Sequence, residues 1–212
     1  MSNDLSEQAA RFRDWAAAGP PRPGGEWECD YEHWPSFYDS VLKFVDQHPF
    51  SSWSEDDVRD VLYAIARDNE FQYIASEIRR RTPELVLNLA RASLRVGEKE
   101  DRWQLAVEAG ALGPRLDVEQ TLLLFAHDEH EYVRRRALKA LLHIGSSAVE
   151  ELSLAAWHCM DEHQQWARMM ALYCLLKINS PHLEELLKDA EQDEGTYLRE
   201  YAQRIRRGES LG

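Results

Sequence analysis

Apolar residues recur at helical spacing through most of the chain, and one phrase recurs with them. Asp128-Glu129-His130 leads into Tyr132-Val133-Arg134 and then Ala137, Ala140, Leu141, Ile144 and Gly145. Asp161-Glu162-His163 leads into Trp166-Ala167-Arg168 and then Ala171, Cys174, Leu175, Ile178 and Asn179. The offset is 33 at Asp-Glu-His and 34 from Arg134 to Arg168 and from Gly145 to Asn179. A period in the thirties with this spacing predicts stacked helix pairs, because one pair cannot bury its own apolar face.

The same reading extends along the chain. Residues 4–18 form an amphipathic helix with Ala9, Phe12, Trp15 and Ala16 on one side. Gly19-Pro20-Pro21-Arg22-Pro23-Gly24-Gly25 forbids regular structure. A Trp-rich stretch follows, with Pro35 suited to a helix start and His48-Pro49 to its end. Ser54 and Asp57 resemble a capping box. Val58, Val61, Leu62, Ile65 and Ala66 then fall at core spacing, and Phe71, Ile74, Ala75 and Ile78 carry the next helix. Thr82-Pro83 starts another helix and Gly97 stops it. Helix pairs are expected at 101–112 with 118–126, 129–144 with 147–160, and 162–178 with 181–190, with a last helix at 197–206. No two-residue alternation marks a strand.

Val133, Arg134, Ala137, Ala140, Leu141, Ile144 and Gly145 together resemble a HEAT repeat. The resemblance covers residues 101–206 well and 54–96 weakly. It implies an all-α, right-handed α-solenoid of HEAT-like hairpins. The expected organisation is an irregular Trp-rich N-terminal cap at 1–53 and repeats at 54–212, folded as one cooperative domain. Trp27 and Trp34 are expected to plug the open end of the stack.

Net charge refines the picture. The 212 residues carry 38 acids and 25 Lys and Arg, a formal charge of −13. That disfavours nucleic acid and anionic lipid as partners and suits a basic protein. Cys29, Cys159 and Cys174 are too few and too scattered for a disulfide scaffold, and Cys174 reads as a small core residue. No secretory leader or membrane-length apolar run occurs, so a cytoplasmic location is expected.

Two groups of residues carry candidate chemistry. Glu150-Glu151-Leu152 recurs as Glu184-Glu185-Leu186, and Glu119 lies 32 residues before Glu151. Glu119, Glu151 and Glu185 are expected at equivalent places on three successive second helices, which line the concave face in HEAT stacks. With Glu150 and Glu184 they form a candidate surface for a basic partner. Acids in a first turn also suit the positive end of a helix, whatever they bind. The second group is His127 and His130 with Asp128, and His158 and His163 with Asp161, residue types that bind zinc or iron. Deoxyhypusine hydroxylase, a HEAT-like di-iron family, is similar in style. Its His-Glu pairs fall where this chain has Arg135-Arg136 and Met169-Met170, and Asp128 and Asp161 read as helix caps. The arginine runs 79–81 and 134–136, and Arg204, Arg206 and Arg207, resemble the phosphate grips of a HEAT-like DNA-glycosylase family only in style. Arg134 and Arg168 are expected to pair with carboxylates of the neighbouring repeat. No nucleotide-binding or catalytic motif appears. The expectation is a non-enzymatic, cofactor-free inhibitor or immunity-type protein, monomeric when free, that blocks a basic partner such as a toxin. A general adaptor and a metal-dependent enzyme are the alternatives.

Overall fold

The computed structural model describes residues 4–18, 31–159 and 164–211. These are all-α, with no strand among them. The Pro/Gly segment, Trp27, Cys29, Asp161 and His163 lie outside the described residues. Among the described residues no helix is long and apolar enough to cross a membrane.

The chain divides into two compact units, Met1–Leu112 and Gly113–Gly212. Unit 1 contains α1 (Asp4–Ala18), α2 (Trp34–Gln47), α3 (Glu55–Arg67), α4 (Tyr73–Arg81), α5 (Pro83–Val96) and α6 (Lys99–Gly110). The boundary expected at 53/54 is not where packing divides the chain. Phe12 of α1 and Phe37 of α2 are fully buried, and α1 packs on both α2 and α3. The N-terminal segment is thus continuous with the following helices. The helices expected at 101–112 and 118–126 as one pair fall in different units.

Local sequence explains the ends of these helices. The Ser54 hydroxyl accepts from the Asp57 amide at 3.1 Å, and the Asp57 carboxylate accepts from the Ser54 amide at 2.9 Å. Two orphan amides of α3 are satisfied this way. Phe71 departs from its expected place in the core. It is 74% exposed, because α4 begins only at Tyr73, after Gln72 with φ 53°. The residue that continues the apolar period in sequence therefore lies in a turn.

The last helix of unit 1, α6, packs against α3, α4 and α5 and is buried around most of its circumference. It includes Asp101, which has no exposure. One Asp101 oxygen accepts from the Glu98 amide at 2.6 Å and the other is buried without a partner. Burial pushes this carboxyl well above its usual range. A proton retained in the folded state and lost in the unfolded state makes stability fall as pH rises from about 4, where an unfolded Asp titrates. Asp101→Asn keeps the acceptor for Glu98 and removes the titration. Its melting temperature is expected to fall less than that of the parent between about pH 5 and 8, with a gain on the order of 1 kcal/mol at the upper end. Parallel melting curves for the two proteins would contradict this.

Unit 2 contains α7 (Leu116–Phe125), α8 (Glu131–His143), α9 (Val149–His158), α10 (Gln164–Lys177), α11 (Leu183–Glu191) and α12 (Thr196–Arg206). Helices α8, α10 and α12 pack side by side in a row, and α7, α9 and α11 pack against that row. Ala171, Leu172, Leu175, Leu186, Leu187 and Leu198 fill the core between them. Cys174 is core as well, and burial holds its thiol at about 12, far from a reactive thiolate.

Candidate functional site

The turns between first and second helices position the glutamates. Gly145 and Asn179 both take left-handed conformations, φ 73° and 53°. After each, the next amide reaches back five residues: Ser146 to the Leu141 carbonyl and Ser180 to the Leu175 carbonyl. This closes α8 and α10 identically, and asparagine substitutes for glycine because it tolerates that region. The serine that follows then couples one repeat to the one before. Ser146 Oγ donates to Glu119 at 2.5 Å, and Ser180 Oγ donates to Glu150 at 2.6 Å. Glu184 is held instead by Arg206 at 2.5 Å, which keeps its carboxyl below the usual range.

These bonds correct the expected ladder. Glu119 is level with Glu150 and Glu184, not with Glu151 and Glu185. The interval from the left-handed residue to this glutamate is six residues after Gly113 and five after Gly145 and Asn179. One residue turns a side chain about 100° around a helix, enough to exchange an outward position for one facing the next repeat. The outward row is therefore Gln120, Glu151 and Glu185, and the row one turn on is Leu124, Ala155 and Asp189. All six are exposed. Glu151, Glu185 and Asp189 form no ion pair with the described residues.

Charge is divided between the two sets of helices. Helices α7, α9 and α11 carry eight acids (Asp117, Glu119, Glu150, Glu151, Glu184, Glu185, Asp189, Glu191) and one base, Lys188. Helices α8, α10 and α12 carry nine bases (Arg134, Arg135, Arg136, Lys139, Arg168, Lys177, Arg199, Arg204, Arg206) and two acids, Glu131 and Glu200. Helix dipoles do not account for the acids at Asp189 and Glu191, which stand in the last turn of α11, where the dipole disfavours them.

The arginine runs are used internally. Arg79 pairs with Glu108, Arg80 with Glu77 at 2.7 Å and Arg81 with Asp46 at 2.7 Å. Arg135 pairs with Glu131 at 2.8 Å, and Arg206 with Glu184 and Glu191. Arg168 pairs with Asp193 at 2.9 Å, the carboxylate of a following repeat, as expected. Arg134 donates to the carbonyls of Asp128 and Glu129 at 2.9 and 2.8 Å. Arg199 does the same to Asp193 and Glu194 at 2.6 and 2.7 Å. Asp128 accepts from the His130 amide and Asp193 from the Gly195 amide, so each orders a turn just before its helix instead of capping it. Asp193-Glu194-Gly195 is thus a further copy of the Asp-Glu-His phrase. Glycine in place of histidine hid it, although Arg199 follows Asp193 by six residues, as Arg134 follows Asp128.

The histidine reading gains no geometry. His127, His130 and His158 are exposed, and His130 is 3.4 Å from Glu129. Among the described residues no three His, Cys, Asp or Glu side chains group as a metal site, and His163 lies outside them. His127 instead borders an apolar cleft of about 260 Å³ between α8, α9 and α10, whose walls include Leu138, Leu152, Ala156 and Met170. No family model, curated protein or solved structure matches the chain.

Proposed function

We propose that the chain is a non-enzymatic interaction protein, a right-handed HEAT-like solenoid whose second helices present an acidic concave face to a basic protein. The segregation of eight acids to one base on α7, α9 and α11 carries this reading. Acids placed only for solubility would be spread over both sets of helices. Glu151, Glu185 and Asp189 are the contact residues, free to meet Lys or Arg side chains. Glu119, Glu150 and Glu184 hold the neighbouring repeats and supply background negative field. An inhibitor or immunity-type protein fits best: covering the cationic substrate surface of a toxin or nuclease needs charge and a rigid face, not catalysis.

The test is capture of the partner from the native source, followed by binding measurements on the purified pair. Glu151→Lys combined with Glu185→Lys is expected to weaken binding about 10- to 100-fold and to flatten its salt dependence. Unchanged affinity would reject the acidic-face reading. Binding to several acidic and basic partners alike would favour a general adaptor.

A further inference from the structure

We propose that the outward face of the first helices in unit 2 receives the acidic second-helix face of another copy of the chain, so that copies associate head to tail. Both halves of this contact are present in one molecule. On α8 and α10, Lys139 and Lys177 are exposed and form no ion pair with the described residues. Lys177 lies 5.5 Å over the Tyr173 ring, which joins it to an aromatic surface. Trp166 and Tyr197 occupy the same place on α10 and α12, 31 residues apart, and stack with ring centroids 5.8 Å apart and planes at 26°. They remain 38% and 60% exposed. Stacked rings left in solvent are the anchor type that interfaces favour.

The second-helix face offers the complement. Glu151, Glu185 and Asp189 are its free acids, and Leu124 stands 53% exposed in the same array. The two faces are commensurate because they belong to the same repeats. Lys139 and Lys177 are 38 residues apart, one helix over and one turn on, as Glu151 and Asp189 are on the second helices, with about 8–10 Å per helix. Glu200 is the one exposed acid of the first-helix face outside this match. The two patches differ, so the contact is heterologous and propagates unless rotation closes it. The net charge of −13 opposes association at low ionic strength. At about 0.1 M salt, charges within about 10 Å still act while the long-range repulsion is screened.

This inference goes beyond the proposed inhibitor role and separates from it by mutation. The first variant joins Lys139→Glu to Lys177→Glu, and the second joins Glu151→Lys to Glu185→Lys. All four positions are exposed, so the fold is retained. Sedimentation velocity at about 0.1 M salt is expected to show average mass rising with concentration for the parent, and falling back at about 1 M salt. Each variant alone is expected to stay monomeric, and an equimolar mixture of the two to associate again, because reversed faces then match. A parent of constant mass, a variant that associates as the parent does, or a mixture that stays monomeric would each overturn the proposal. A constant mass would also leave the first-helix face to a different acidic molecule. The lysine variant leaves the carboxylates untouched, so lost self-association with intact binding of a basic partner separates this surface from the inhibitory one.

Discussion

Truncation of Phe12 to alanine is expected to destabilise the protein by about 3–5 kcal/mol, the range for a fully buried phenylalanine. Phe12 has no exposure and lies at the centre of an aromatic cluster. Its ring centroid is 5.2 Å from Trp15, 4.7 Å from Tyr31, 5.0 Å from Trp34, 5.8 Å from Phe37 and 5.9 Å from Tyr63. One side chain therefore joins α1 to α2 and α3. Among the polar fasteners of α1 is Arg13, which pairs with Asp60 at 2.7 Å and lies 4.4 Å over the Tyr63 ring. Arg13 is half-exposed, and such a pair contributes at most about 1 kcal/mol. Apolar burial of Phe12 is the larger effect by a factor of several. Urea unfolding of Phe12→Ala against the parent measures it. A loss under about 1 kcal/mol would mean that α1 is not part of the unit 1 core.

Asp68→Ala is expected to cost about 3 kcal/mol for a different reason. Asp68 has no exposure, accepts from the Tyr38 hydroxyl at 2.9 Å and accepts from the Ile74 amide at 2.7 Å. It ties α2 to the first turn of α4 and spans the turn that contains Gln72 in its left-handed conformation. Alanine would leave the Ile74 amide buried and unpaired, and would release a turn that holds a non-glycine residue at positive φ. Tyr38→Phe removes the hydroxyl bond and leaves the Ile74 amide paired, and is expected to cost only about 1 kcal/mol. Equal losses from Asp68→Ala and Tyr38→Phe in the same denaturation experiment would show that the turn does not depend on the carboxylate.

The helices, some of their caps and the buried thiol were legible in the sequence because each has a local cause, whereas Asp128 orders a turn instead of capping its helix. The Ser54–Asp57 box forms within four residues, and the left-handed caps at Gly145 and Asn179 depend on one residue each. Cys174 is core because it keeps a helical period. The misreadings come from registers set by tertiary contacts. Phe71 fits the apolar period, but the helix that would bury it starts two residues later. Glu119 matches Glu151 by counting, yet the serine bonds between repeats rotate it into line with Glu150. The division of charge between first and second helices was present in the composition of each segment. It emerges only once the helices are sorted by the row they occupy, which a linear offset does not supply.

Free carboxylates on the second helices are proposed to grip a cationic protein. Titration of the captured partner against the parent and the Glu151→Lys, Glu185→Lys variant, repeated from about 0.05 to about 0.5 M salt, measures this most directly. Expected is a steep loss of parent affinity with salt, and a variant that binds about 10- to 100-fold more weakly with a shallower slope. Coincident curves for the two proteins would contradict the claim.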